Sequence, residues 1–280
     1  MLKIALSGST GLIGSRIIEL LKNDFIFAPL LQSQVDITNR DVTLKAIDGM
    51  EFDLFLHLAA YTNVDGAEKE KELVHKINVD GTRNVFDAVT SKKRGFIYIS
   101  TDFVFDGTHP PYFEDSTPNP LSYYAKTKFE GEKIVKGQAM IIRLSYPYRA
   151  RFDQKKDYVK SIVTALSEKK RLNMITDCKI TPTFVDDIAF ALKHCFTNFA
   201  PHIIHLIGSQ SLSHYEAGKL IAKIFKLDES LIQATSYQDY YINKAHRPQY
   251  SEIKSKNNTF YIIKTFEKGL TEVANQLQNT

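Results

Sequence analysis

Tyr124 and Lys128 stand four positions apart in the stretch Pro120-Leu-Ser-Tyr-Tyr-Ala-Lys-Thr-Lys-Phe-Glu-Gly-Glu132. The residues after Pro120 are good helix formers, and Ser122 is a candidate N-cap. On a helix this spacing puts both side chains on one face, one turn apart. An ammonium beside a phenol favours the phenolate, which would make Tyr124 an acid usable near neutral pH. Tyr-x-x-x-Lys alone also describes an ordinary surface helix, so the elements around it decide its meaning.

The first of those elements opens the chain. Residues 2–7 are a short apolar strand, followed at once by Gly8-Ser-Thr10-Gly11-Leu12-Ile13-Gly14 and then by helical periodicity from Ser15 to Lys22. Strand, glycine loop and helix in this order allow a tight turn and bring a pyrophosphate close to free N–H groups at a helix N-terminus. A second apolar run, Phe25 to Leu31, ends in Leu31-Gln32-Ser33-Gln34 with neither an acid nor an arginine, which leaves NADH and NADPH both open. Asp36, followed by Ile37, is placed either to accept from an adenine amino group or to cap a helix over residues 39–47.

Phe52 to His57 reads as a buried strand, and small residues at its end (Leu58-Ala59-Ala60) would let a cofactor approach; Thr62 follows in the next loop. Helical pattern runs from about Glu68 to Val89. Gly95 to Ser100 is the next strand, ending in Ser100-Thr101-Asp102, and ligands of open α/β sheets bind at such carboxyl ends. The loop from Phe105 to Pro120 is long enough to be functional and leads to Tyr124. A strand over Met140 to Leu144 precedes Ser145-Tyr146-Pro147-Tyr148, after which the chain turns basic and polar. Later helices are expected over 157–169, about 184–196, 213–225 and about 263–277, with Ser213-x-x-Glu216 as a capping box. Strand-helix alternation over residues 1–145 predicts an α/β fold: a doubly wound parallel sheet of Rossmann type, with a smaller C-terminal lobe over its carboxyl edge. The expected division is residues 1–148 plus about 177–202 for the dinucleotide-binding domain, and about 149–176 plus 203–280 for the substrate lobe.

Composition bounds the partners. The formal charge of +4 over 280 residues gives no argument for nucleic acid and suits an anionic small molecule. No apolar run reaches the roughly 20 residues that span a bilayer, and the N-terminus turns to glycine too early for a signal peptide. Cys178 and Cys195 are expected to be buried, inert thiols of a reducing, cytoplasmic compartment. No cluster has metal-ligand spacing, so no metal site is expected.

Seven segments occur in a telling order: Gly8-x-x-Gly11-x-x-Gly14, His57-Leu-Ala-Ala-Tyr-Thr-Asn-Val-Asp65, Asn78-Val-Asp-Gly-Thr82, Ser100-Thr-Asp-Phe-Val-Phe-Asp-Gly107, Tyr124-x-x-x-Lys128 with Glu130-Gly131-Glu132, Pro182-Thr183 with Asp187-Ile-Ala189, and Ala245-His-Arg-Pro248. Through them the chain resembles the extended short-chain dehydrogenases/reductases, and within these the dTDP-4-dehydrorhamnose reductase branch. The resemblance implies an oxidoreductase using NADPH or NADH on a nucleotide sugar, as in dTDP-rhamnose biosynthesis, with a homodimer as the candidate assembly. It implies that Thr101, beside Ser100, polarises a carbonyl, that Tyr124 protonates it, and that Lys128 lowers the tyrosine pKa and binds ribose hydroxyls. Gly8, Thr10, Gly11, Leu12, Ile13 and Gly14 would hold the pyrophosphate, Asp36 and Ile37 the adenine, and Leu58, Ala59, Ala60 and Thr62 the path to the nicotinamide. Asp102, Phe103, Val104 and Tyr146 would face the sugar, with Arg247 as a phosphate partner through its guanidinium fork. Phe103 stands where that branch has tyrosine, and Tyr146-Pro147-Tyr148-Arg149 where it has tryptophan, valine and Tyr-Gly. The same superfamily holds epimerases and dehydratases, and a non-catalytic regulatory subunit of methionine adenosyltransferase shares these motifs.

Overall fold

A computed structural model describes residues 1–278. The first half runs β1 (Lys3–Ser7), α1 (Gly14–Leu21), β2 (Ile26–Leu30), α2 (Arg40–Asp48), β3 (Leu54–His57), α3 (Val64–Ala67), α4 (Lys71–His75), a π turn (Lys76–Asp80), α5 (Gly81–Ser91), β4 (Gly95–Thr101), α6 (Tyr123–Val135) and β5 (Met140–Leu144). The second runs β6 (Pro147–Tyr148), α7 (Tyr158–Ser167), β7 (Leu172–Ile175), β8 (Thr183–Phe184), α8 (Val185–Thr197), β9 (Ile203–His205), α9 (His214–Ile224), β10 (Ile232–Thr235), α10 (Tyr237–Tyr241) and α11 (Phe266–Gln278).

Six strands form one parallel sheet in the order β2-β1-β3-β4-β5-β9. β3 and β5 are buried at every position, as strands of a parallel sheet covered on both faces are, and the polar residues among them, His57 and Arg143, are hydrogen-bonded. Ile17 and Leu21 of α1 and Ile188, Leu192 and Phe196 of α8 pack on one face; Ile47 of α2, Val85 and Phe86 of α5 and Val135 of α6 pack on the other. The chain steps outward from β1 to β2 and back to β3, so the crevice for a ligand opens at the carboxyl ends of β1 and β3. A separate apolar core, with Tyr148, Val159, Leu166, Phe184, Ile221, Phe266 and Leu270, forms around α7, α9 and α11 with the two-stranded ladders β7–β10 and β6–β8.

Several boundaries differ from the sequence expectation. β9, expected at the start of the second part of the smaller lobe, extends the central sheet beyond β5, because Ile203 and Ile204 pair with Ile141 and Ile142. The helical stretch from Glu68 is broken into α4, the π turn and α5, with the short α3 just ahead of it. The cap of α2 is Asn39, whose side chain accepts from Val42 N; the Asp36 carboxylate instead accepts from Thr38 N and Oγ1. The last helix begins at Phe266 rather than Ile263. Ser213 and Glu216 form the expected capping box, and Ser122 caps α6 by accepting from Ala125 N. Residues 279 and 280 of the expected lobe lie outside the described residues.

Candidate active site

The glycine loop is built for close approach. Gly8 has φ +71°, and a Cβ there would stand 2.9 Å from Ala59 N and from the Leu58 carbonyl carbon at the end of β3. A Cβ on Gly14 would stand 2.4 Å from Gly8 O. Gly11 N donates to Gly8 O at 3.0 Å and Ser15 N to Gly11 O at 3.1 Å. Among the described residues, Leu12 N and Ile13 N have no acceptor, so two donors stay free at the start of α1. Free donors, the dipole of α1 and a cradle that any Cβ would fill suit a dinucleotide pyrophosphate. Thr10 and Thr62 are exposed at the mouth, Leu58, Ala59 and Ala60 are half-buried along its wall, and Ile37 is half-buried behind exposed Asp36.

The reacting groups meet at the carboxyl end of β4. Thr101 is its last residue, and its Oγ1 donates to Asp102 Oδ1 at 3.2 Å. Ser145 Oγ donates to Asp102 Oδ2 at 2.8 Å. Asp102 is buried, and burial pushes its carboxyl up to about 6 against those donors. Ser100 Oγ is buried with no hydrogen-bond partner, an orphaned donor beside Thr101. Tyr124, from the first turn of α6, is 9% exposed, and its phenol interacts with the Thr101 hydroxyl. Burial and, after it, the Asp102 charge push that phenol above its ordinary value. Lys128, one turn on and 4% exposed, is pulled down to about 7 by burial, with Glu132 opposing. The same dry surroundings thus act on both groups, disfavouring the phenolate and the ammonium alike.

The proposed sugar side is aromatic. Phe103 lies edge-on to Tyr124 and Tyr146, at 6.4 and 5.9 Å between ring centroids, and Tyr146 in turn meets Tyr158 and His214. Tyr146 has φ +42°, a strained value for a bulky residue, in the turn that leaves β5. Two expected contacts are corrected. The Val104 side chain is fully buried among Phe105, Tyr112, Ile207 and Ile253, so it faces a core and not the cleft. Arg247 is already paired: its Nη1 and Nη2 donate to the two carboxylate oxygens of Asp65 at 3.0 and 2.8 Å, and Ala245 N donates to the same carboxylate. The fork that suits phosphate suits a carboxylate equally well.

Sequence reasoning gave no role to several residues here. Asn78, in the π turn, accepts from Tyr61 N at 2.8 Å and donates to Thr127 Oγ1 at 3.0 Å, tying the loop after β3 to α6. His57 is held by Ser7 and Thr82 at 2.7 and 3.2 Å. The Thr82 proton goes to Asn78 O, so His57 Nε2 donates to Thr82 and Nδ1 accepts from Ser7. Burial and the Lys128 charge lower His57 to about 3, so it stays neutral. Arg149 Nη1 donates to Leu12 O and Ser15 Oγ, and Lys155 Nζ donates to Thr62 Oγ1; the smaller lobe thus reaches both ends of the crevice. The Asn78-Val-Asp-Gly-Thr82 string was the signal for Asn78 and Thr82, and the string that opens on His57 the signal for that histidine. Two other concavities, of about 500 and 460 Å³, share Lys179 and Ser211 in their walls and include none of the candidate site residues.

A Rossmann-type sheet, a glycine loop and a Thr-Tyr-Lys constellation at the end of β4 define a protein of the extended short-chain dehydrogenase/reductase class. The chain belongs to the family described as RmlD substrate binding domain, which matches residues 2–279. It is similar to a dTDP-4-dehydrorhamnose reductase of Mycolicibacterium smegmatis, with 27% identity covering 91% of this chain and 79% of that one. It is also similar to methionine adenosyltransferase 2 subunit beta of Bos taurus, with 29% identity covering 90% and 80%. Among solved structures it is similar to dTDP-4-dehydrorhamnose reductase from Bacillus anthracis in complex with NADP, with a TM-score of 0.91, 28% identity and coverage of 98% and 99%.

Proposed function

We propose that this chain is an NADPH- or NADH-dependent oxidoreductase that reduces a keto group on a nucleotide-linked deoxysugar. The observation that carries the proposal is the Thr101–Tyr124 contact at the end of β4, with Lys128 one turn on, in a fold whose glycine loop leaves room for a pyrophosphate. Relatives named dTDP-4-dehydrorhamnose reductase support the substrate class, and a solved relative holding NADP supports the cofactor.

When bound, the reduced nicotinamide supplies hydride. Tyr124 holds the proton that the carbonyl oxygen needs, and burial keeps it on the phenol until a negative oxygen arrives. Thr101 Oγ1, on turning its proton from Asp102, donates to that developing charge, with the unpartnered Ser100 Oγ behind it. Lys128 carries the positive charge that steadies the phenolate left behind, and its ammonium is the group available for the ribose hydroxyls. Phe103 and Tyr146 give an apolar wall that suits a deoxygenated sugar better than a fully hydroxylated one. Arg247 binds a substrate phosphate only by exchanging Asp65 for it. The smaller lobe, led by residues 149–156 and 237–248, is the substrate side of the cleft. A cytoplasmic location and a homodimer belong to the same proposal; the two buried cysteines, both free, support the first, and light scattering on the purified chain reads the second.

One further observation favours a second reading: the similarity to methionine adenosyltransferase 2 subunit beta is as extensive as that to the reductases. NADPH oxidation against a panel of keto-sugar nucleotides separates the two. Oxidation with any of them establishes a reductase. Its absence from all, with NADPH bound and a methionine adenosyltransferase captured, establishes the regulatory subunit.

A further inference from the structure

Lys128 Nζ lies 4.1 Å from the centroid of the Tyr98 ring. Among the described residues the ammonium has this ring face, and no hydrogen-bond acceptor, as its partner. Tyr98 is fully buried on β4, two residues before Ser100. Its hydroxyl donates to the Lys128 carbonyl oxygen at 3.2 Å, so one side chain grips both the head and the backbone of the lysine. The ring has no freedom to drift. His57 stacks beside it at 6.0 Å and is itself clamped by Ser7 and Thr82. On the α6 side, a Cβ on Gly131 would come within 2.1 Å of the Tyr98 hydroxyl oxygen, so the hydroxyl's seat exists only because residue 131 is glycine.

We propose that Tyr98 is a positioning residue for Lys128: its ring face carries the ammonium and its hydroxyl fixes the turn of α6 from which the lysine extends. The proposal rests on the reductase reading only for the use made of the charge. An aromatic face attracts a cation through its quadrupole, and the attraction is largest where water is excluded. The need is plain here, because burial drives the ammonium toward neutrality and Glu132 is the one charge that opposes it. The other groups around it offer little. Glu132, on the same helix, is bound by both Nε and Nη2 of Arg143 from β5, His57 from β3 stays neutral, and Tyr124 is an un-ionised phenol.

The test is the titration of Lys128 itself, followed by NMR in protein labelled at lysine Cε, with the signal assigned by its loss in Lys128→Met. Wild type is expected to titrate near 7. Tyr98→Phe keeps the ring and is expected to stay within a few tenths of a unit of wild type. Tyr98→Leu is expected to titrate lower by about one unit or more, the effect of losing a desolvated cation–π contact. Pentafluorophenylalanine at position 98 keeps the ring's shape and reverses its quadrupole, so it gives the same downward shift even where Tyr98→Leu fails to fold. Wild-type titration in the pentafluoro variant, or in a folded Tyr98→Leu, overturns the proposal. NADPH or NADH oxidation with keto-sugar nucleotides by the wild type, measured separately, speaks to the reductase reading: shifted titrations without oxidation of either cofactor retain Tyr98's role and remove that reading.

Discussion

A phenol that must release a proton and an ammonium that must keep one share the same dry surroundings, and each is pushed the wrong way by them. Tyr124 is raised and Lys128 lowered by burial. The arrival of a negative oxygen between Thr101 and Tyr124 favours the charged lysine and offers the phenol's proton a stronger base than the phenolate, so the proton leaves at that moment and not before. Arg247 is the second residue whose chemistry depends on what arrives. Its bidentate bond to Asp65 is a charge-assisted contact worth about 1.5–3 kcal/mol, offered equally to a diphosphate. Arg247→Ala is therefore expected to raise the KM for a nucleotide sugar by about tenfold to a hundredfold with NADPH affinity unchanged, read by steady-state kinetics and nicotinamide fluorescence. An unaltered KM would remove Arg247 from the substrate site. The residues proposed to do the chemistry were legible in the sequence because each falls in a short local string. The Arg247–Asp65 bond was not, because its partners are 182 positions apart.

Two elements hold the site. The loop between β1 and α1 depends on glycine at positions 8 and 14, where a side chain would strike backbone. Gly14→Ala is expected to cost about 1–3 kcal/mol through overpacking and to abolish measurable NADPH binding; a variant that binds as wild type would show that the loop can move aside. α6 depends on its cap. Ser122→Ala removes the acceptor for Ala125 N just ahead of Tyr124, and it is expected to lower unfolding free energy by about 1 kcal/mol in urea. At this scale the sheet was readable from its apolar runs, since parallel strands covered on both faces leave no other pattern. The π turn over Lys76–Asp80 was not, because one extra residue in a helical turn leaves the apolar periodicity of its neighbours intact. That turn aims Asn78 at Tyr61 and Thr127. The pairing of β9 with β5 was also hidden, three residues being too short a run to declare a partner.

The whole molecule is a sheet with an apolar core on each face and a smaller lobe with a core of its own. Arg16 in α1 grips Asp186 in α8 through Nε and Nη2, both at 2.7 Å, and Gln276 of α11 joins the same carboxylate at 2.8 Å. Buried histidines give this assembly a pH dependence. His57 is lowered to about 3, and His205 and His214 to about 4, chiefly by burial, from an ordinary 6.5. The unfolded chain takes up those protons first, so the histidines' contribution to stability is full above 6.5 and falls as pH drops toward 4, by up to about 1.4 kcal/mol per pH unit for each group. Asp102, raised to about 6, and Asp157, also raised by burial, act the opposite way over part of that window. Urea midpoints are expected to decline between pH 6.5 and 4; a flat profile would mean that the histidines are not held neutral. The most direct test of the reductase proposal is NADPH oxidation with dTDP-4-dehydrorhamnose by wild type and by Tyr124→Phe. The expected result is turnover in the wild type, and a variant that binds NADPH equally well and turns over about 10²–10⁴-fold more slowly. Equal turnover in the two proteins would contradict the role of Tyr124, and with it the site.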